Sequence, residues 1–492
     1  MDREDIYKMR NKGYVTVFVS LMLVVMIILV TATMYITDMS SAETKALTAT
    51  NSAMSSELAN YNRLIFDRYH ILLLDKTYSG MGEGAIEQGI EESLSIDLGE
   101  DYEIEQVELS GTLGILDDGC AEFKRQIKDN FKYEVMEYSI DKILEKTDGQ
   151  DEPVDGETVE EIDNKVSSEE KAITEAEAEK EEDATGEKKE DIFADPVVDP
   201  RDTLKVYVDA GIAKIILPDV SVLSGNIVRE EDIPSAGRPK NKVEAIQTDF
   251  KDLDRMEVDS TKGNGWGDSL LTNAEAIMYA SQNFSCLTDQ KYDDTYLNLE
   301  MEYIVGGEDN DGANYSKVVD EILLIRFGCN LAHILTDTTK IQKCDKLALA
   351  LTVEFPPAQP FVKYLLVGCW AYIESVADVY RMLRGHKIPF MKDSTTWTTD
   401  FESLANLESL VSEPSDDENG LGYKEYLMIL MSLQGDKIYY RMLDLMQLNV
   451  TQPDIEGGDP NFRMSNAITA FGINSDVGYK SKVFNIHEEI GY

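Results

Sequence analysis

Apolar positions along this chain come in three arrangements: one unbroken run, several helical stripes and a few alternating stretches. The unbroken run is Tyr14–Ile36, YVTVFVSLMLVVMIILVTATMYI, which holds no charge, no Pro and no Gly. At about 1.5 Å per residue, a helix of that length reaches roughly 34 Å, just over the hydrocarbon core of a bilayer. A helix also bonds each backbone N–H and C=O within the segment, as lipid demands. The run therefore predicts a transmembrane helix, with Tyr14, Phe18 and Ile36 in the membrane span. No Pro or Gly interrupts Ser40–Leu74, so the helix is expected to continue past the bilayer in amphipathic form. Leu47, Met54, Leu58, Tyr61 and Ile65 recur at helical spacing and mark its inner face, while the other face is rich in Ser, Thr and Ala.

Further along, His70–Leu74 reads as a short strand or a last helical turn, Glu87–Leu98 as a helix, and Asp101–Leu113 as a strand with Ile104, Val107 and Leu109 alternating. Asp117–Lys146 returns to helical spacing through Phe123, Ile127, Phe131 and Val135. Later stripes predict helices over Leu270–Asn283, Ser316–Leu335, Thr338–Leu351, Gln359–Arg384, Phe401–Leu410, Tyr423–Leu433 and Lys437–Leu448. The stripe of Gln359–Arg384 runs from Val362 to Leu383, but its uncharged stretch Tyr364–Ile373 is too short to cross lipid; it reads as a core helix. Tyr296–Val305 alternates and predicts a strand with Leu297, Leu299, Met301 and Tyr303 inward. Ala467–Ile473 and Val483–Ile486 predict closing strands. The expected fold class is α+β, helix-dominated, with a transmembrane helix that continues into a long amphipathic one and a large extracytoplasmic α+β domain.

Charge divides the chain further. It carries 46 basic and 93 acidic residues, a net charge of −47. Such a balance disfavours nucleic acid as a partner, and it disfavours docking on anionic lipid by any route other than the span. Asp148–Asp202 alone holds 22 acidic and 6 basic residues and few branched or aromatic ones. A segment of that composition cannot bury enough to offset its chain entropy, so it is expected to be a disordered linker. The resulting division is a basic N-terminus over 1–13, the span over 14–36, a pilin-like helical stalk with a small α+β region over 37–147, the acidic linker over 148–202, and a helix-rich α+β domain over 203–492. Arg3, Lys8, Arg10 and Lys12 precede the span, whereas Asp38 and Glu43 follow it with Lys45 the only nearby cation. The positive-inside rule then leaves the N-terminus in the cytoplasm and the bulk of the chain outside a cell membrane it crosses once. Small residues at Thr31, Ala32 and Thr33 keep open a cleaved secretory signal. Basic residues, then Gly13, then a long apolar helix is also the order of a prepilin, whose cleavage would fall between Gly13 and Tyr14; Phe18 stands where prepilins carry a Glu.

Candidate chemistry is sparse. Cys120, Cys286, Cys329, Cys344 and Cys369 form no CxxC and read as buried thiols, with a Cys329–Cys344 bridge as the alternative. His70, His333, His386 and His487 share no short motif, and no GxSxG, HExxH or Walker loop occurs. Three near-matches fail. Asp219–Leu223 starts like a DxSxS metal loop but ends in Leu223, and Gly307–Val318 lacks both anchoring carboxylates of an EF-hand. Gly263–Gly267 is too short for a phosphate-cradling GxGxxG and reads as a loop. No catalytic residue, cofactor or metal is expected. A tethered hydrolase would have to use dispersed acids such as Glu300, Glu302 and Glu374.

KGYVTVFVSLMLVVMIILV at Lys12–Val30, followed by SSELANYNRLIFDRYHILLL, resembles the start of TadE/TadG-like proteins. With LTNAEAIMYASQNFS, YLNLEMEYIVGG, VVDEILLIRFGCNLAHILTD and VKYLLVGCWAYIESVADVYRMLRGHKIPFMK, the chain is similar to an uncharacterised membrane-protein family of Clostridia and other Firmicutes. That resemblance implies a pseudopilin-like structural or assembly component of a tight-adherence (Tad) pilus or secretion apparatus, with other Tad proteins and the lipid bilayer at Tyr14–Ile36 as partners. A stand-alone surface binding or adhesion module is the alternative, and a membrane-tethered envelope hydrolase a weaker one.

Overall fold

The computed structural model of the chain describes residues 3–82, 84–133, 205, 211–236, 266–353, 355–400 and 420–492. Helix α1 (Arg3–Leu58) is continuous over 56 residues. From Val15 to Ile36 its side chains are open on all sides, and among the described residues this helix alone is long and apolar enough to cross a membrane. From Met39 onward it packs. Met39, Ala42, Ala46, Ala49, Ala53, Met54 and Leu58 are buried, whereas Leu47 is 37% exposed. Met54 and Leu58 of the expected inner face are buried, but alanines take the place expected of Leu47, because they admit a closer approach than leucine to the sheet beneath. Outward Ser and Thr hydroxyls donate to the helix's own carbonyls, Thr44 to Ser40, Thr48 to Thr44 and Ser55 to Asn51.

The helix also stops sooner than its lack of Pro and Gly suggests. Asn62 accepts the N–H of Ile65 and caps a separate α2 (Arg63–Tyr69), so Tyr61 and Ile65 lie beyond the end of α1. The cap competes with helix continuation by satisfying a first-turn donor. There follow β1 (Leu74–Asp75), α3 (Ala85–Leu98) and β2 (Tyr102–Gly114).

A four-stranded antiparallel sheet has β3 (Ala467–Tyr479) at its centre. Strand β2 pairs along one side of it, from Tyr102 opposite Tyr479 to Gly114 opposite Ile468. Strands β1 and β4 (Lys482–Gly491) pair with successive stretches of the other side. The sheet thus draws strands from both sides of the acidic tract, across the division that composition drew between 37–147 and 203–492. Helices α1 and α3 cover one face, where Ala46, Ala53, Met54, Ile86, Ile90 and Leu94 meet Phe471, Ile473, Val477 and Phe484.

The remaining helices build a larger core: α4 (Asp117–Tyr133), α5 (Ile212–Ile216), α6 (Trp266–Asn283), α7 (Glu300–Gly306), α8 (Asp311–Thr336), α9 (Thr338–Leu351), α10 (Gln359–Met382), α11 (Tyr423–Ser432) and α12 (Lys437–Val450). The described helices read from periodicity agree with these elements to within five residues at either end, and the closing strands are found in place but run five to six residues further than expected. Tyr296–Val305 does not agree: it is a turn into α7, not a strand. All seven residues of α7 are buried, Glu300 and Glu302 included, so its alternation never marked a solvent face. Arg441 closes the end of α7, donating from Nη1 to Ile304 O and Val305 O, both at 2.7 Å. Gly307 turns there at φ 66°, where a Cβ would come within 2.3 Å of the Arg441 guanidinium. Of Gly263–Gly267, read as a loop, Trp266 and Gly267 open α6, and the first three residues lie outside the described ones. The end of the Asp117–Lys146 helix, the acidic linker and Phe401–Leu410 lie outside the described residues.

Candidate functional site

Two places carry what the sequence singled out. The first is the passage from the span to the sheet. Gly13 and Tyr14 are helical within α1, and Phe18 and Ile36 are 64% and 65% exposed, as lipid-facing side chains would be. Two residues past Ile36, Asp38 accepts from Lys480 at the β3–β4 turn and from the Tyr479 hydroxyl at 3.4 Å. The Lys480 ammonium holds the Asp38 carboxyl below the usual range. Lys482 pairs with Glu43 at 3.5 Å, Thr50 meets Ser475 at 3.4 Å, and the Tyr492 hydroxyl donates to Leu58 O at 2.6 Å. Helix α1 is thus tied to the C-terminal hairpin along the whole of its soluble half. From Asp38 to Leu58 the chain climbs roughly 30 Å at about 1.5 Å per residue. The sheet runs alongside from Tyr479 to Ala467, and there Ile115 N–H donates to Ala467 O at 3.0 Å as the chain enters the helical core.

The second place is the set of buried acids. Glu300 accepts Ser285 N–H at 2.8 Å and Asn449 Nδ2 at 2.7 Å, and burial pushes it up to about 7. Glu302 accepts Leu287 N–H at 3.0 Å and is likewise pushed up to about 7 by burial. Both pin the 285–287 segment. Asp444 accepts Ser235 N–H at 3.0 Å and the Tyr303 hydroxyl at 3.2 Å, and burial raises it to about 6.

Glu374 belongs to a different cluster, so the three acids named from sequence do not converge. Its Oε2 accepts Thr399 N–H and Oγ1 at 2.8 and 2.6 Å. Its Oε1 accepts Thr398 N–H and Oγ1, both at 2.9 Å, together with Lys392 Nζ. One helical turn on, Asp378 Oδ2 accepts Arg326 Nε and Nη2 at 3.1 and 2.8 Å and Asn330 Nδ2 at 2.9 Å. Lys392 Nζ lies 2.5 Å from Asp378 Oδ1. Burial alone would raise Asp378, but Lys392 and Arg326 hold it below the usual range. Arg326 also donates to Pro389 O and Phe390 O at 3.0 and 2.7 Å. The cluster therefore fastens the 385–400 strap onto α8 and α10. Arg326, Asp378 and Lys392 carried no motif; only the i, i+4 spacing of Glu374 and Asp378 within an apolar stripe could have drawn attention to them.

Outside this cluster lies a polar cleft of about 770 Å³ lined by His333, Lys340, Lys392, Asp393, Trp397 and Thr399 among others. His333 stacks near Trp397 with ring centroids 5.4 Å apart, and burial and Lys340 push its imidazole down. The other named residues are accounted for locally. Asp219 accepts Ser221 N–H and Oγ and so closes its own turn. Asn310 caps α8, and buried Asp311 accepts the N–H groups of Ser224, Asn298 and Leu299. All five Cys are buried, and none is in a disulfide. His487 is exposed and bonds Asn474 at 2.7 Å, and His70 ends α2 in the left-handed region. Among the described residues no three His, Cys, Asp or Glu are grouped to hold a metal ion.

No curated protein and no solved structure matches the chain. Residues 187–479, more than half of it, match the family described as a family of unknown function, DUF5702. The chain belongs to the DUF5702 family.

Proposed function

We propose that the chain is a membrane-anchored, extracytoplasmic structural or assembly component, pseudopilin-like, of a Tad-type pilus or secretion apparatus. One observation carries this reading: α1 is a single helix that is bare and apolar from Val15 to Ile36 and from Met39 onward lays an alanine face on an antiparallel sheet. A bare apolar stretch of that length suits lipid, or the apolar core of a filament built from like helices. The sheet then acts as a spacer that holds the helical domain roughly 30 Å from the bilayer.

Deletion of the gene should reduce surface piliation or adherence, and detergent extracts should co-purify Tad platform or pilin subunits. Normal pili in the deletion strain, with no Tad subunit recovered, would refute the reading. N-terminal sequencing sharpens it. A mature start at Tyr14 means prepilin-type processing, a start after Ala32 means secretion, and an intact N-terminus means a permanent anchor.

The alternative, a stand-alone binding or adhesion module, draws on the polar cleft at the 385–400 strap. Adherence retained in a strain that lacks the Tad machinery would favour it.

A further inference from the structure

Arg326, Glu374, Asp378 and Lys392 bring together two cations and two carboxylates that are all buried. The side chains of Glu374 and Asp378 are 0% exposed and that of Lys392 is 1% exposed. What sets the group apart from an ordinary buried ion pair is the unequal treatment of the two Asp378 oxygens. Oδ2 faces three N–H donors, two from Arg326 and one from Asn330. Oδ1 accepts no other hydrogen bond and faces Lys392 Nζ alone. Glu374 Oε1 touches the same Nζ.

We propose that Lys392 and Asp378 condense into an intramolecular isopeptide bond, with Glu374 as proton carrier and Arg326 and Asn330 as the oxyanion site. Lys392 passes one ammonium proton to Glu374 Oε1. The freed amine attacks Cγ of Asp378, the C–N bond forms, and negative charge gathers on Oδ2, where the three donors already point. The second amine proton and the proton stored on Glu374 pass to Oδ1. The Cγ–Oδ1 bond then breaks, Oδ1 leaves as water, and Oδ2 remains as the amide oxygen. One ammonium and one carboxylate become one secondary amide and one water. Glu374 is regenerated, and no oxidant, reductant or cofactor enters.

Physical chemistry favours the step at this position. The reacting atoms are held together by the fold, so the condensation is unimolecular. Two buried charges, whose desolvation is costly, are replaced by one neutral amide. Arg326 and Glu374 remain as one charge of each sign. Lys392 also lines the polar cleft, which gives the released water a way out. The product would bolt the 385–400 strap covalently to α10. The inference rests on this cluster alone and stands apart from the assembly role.

Mass spectrometry of the full-length chain extracted from membranes tests the bond directly. In a tryptic digest, Lys392 in amide linkage resists cleavage, so Tyr364–Arg381 should appear joined to Ile388–Lys424, lighter than the two linear peptides by one water. Lys392→Arg and Glu374→Gln should each restore the linear peptides. If those variants fail to accumulate, the wild-type digest alone still separates the two outcomes. Recovery of linear Ile388–Lys392 in full yield from folded wild-type protein would overturn the proposal.

Discussion

The sheet module and the helical domain solve the same packing problem with different materials. Where α1 and α3 meet the sheet, the interior is Ala, Ile, Met and Phe, and the ion pairs Asp38–Lys480 and Glu43–Lys482 sit at the rim. In the helical domain Glu300, Glu302, Asp311, Arg326, Glu374, Asp378 and Asp444 are buried, and each holds a loop or a helix end by its backbone groups or side chains. Apolar packing tolerates change gradually, whereas a buried charge stripped of its partner is left without water or counter-ion. The module should therefore behave as a robust spacer, and the helical domain as a structure whose loops depend on protonation and pairing.

Arg326→Met should break this contrast most sharply. In the uncondensed cluster it removes two of the three donors to Asp378 Oδ2, and loss of one partner from a buried pair costs about 3–5 kcal/mol. Urea denaturation followed by the fluorescence of Trp370 and Trp397, both in the helical domain, would read it. A loss below about 1 kcal/mol would mean that the charge cluster is dispensable.

Next in size is pH. Glu300 and Glu302 are raised in the folded state from 4.5 to about 7, so they bind protons more tightly folded than unfolded. Their stabilisation is whole below about pH 4.5 and is lost as pH climbs through 7, at most about 3 kcal/mol for each. Glu300→Gln should flatten that slope in a melting series from pH 5 to 8. A wild-type profile that is flat or rises across the window would contradict the burial argument.

Smaller still is Ala46→Leu on the inner face of α1. Overpacking there should cost about 1–3 kcal/mol, seen by hydrogen exchange in β3 and β4, with the Trp370 and Trp397 transition unmoved. An equal loss in both regions would show that the two cores unfold as one. The smallest effect belongs to Lys480→Ala, since an exposed ion pair contributes little in water; the melting temperature should hardly change.

The sequence alone was strong where one physical constraint dominated. Lipid allows only long uncharged stretches, so Tyr14–Ile36 announced itself, and the stripes of α8, α9, α10 and α12 followed from burying one helix face against neighbours. It failed where long-range contacts reversed a local sign. The acids of Glu300 and Glu302 read as the wet face of a strand, but distant backbone N–H groups at Ser285 and Leu287 make them interior residues of a helix. Composition likewise separated residues that β2 and β3 pair directly, because strand pairing has no local signature. Nor could spacing bring Lys392 to Asp378: that meeting needs the strap to fold back over α10, held by Arg326 from α8. What one segment can bury or expose was written in its own residues. What a polar group meets in the interior was decided only when remote parts of the chain came together, since the energy of a buried charge depends on its partners.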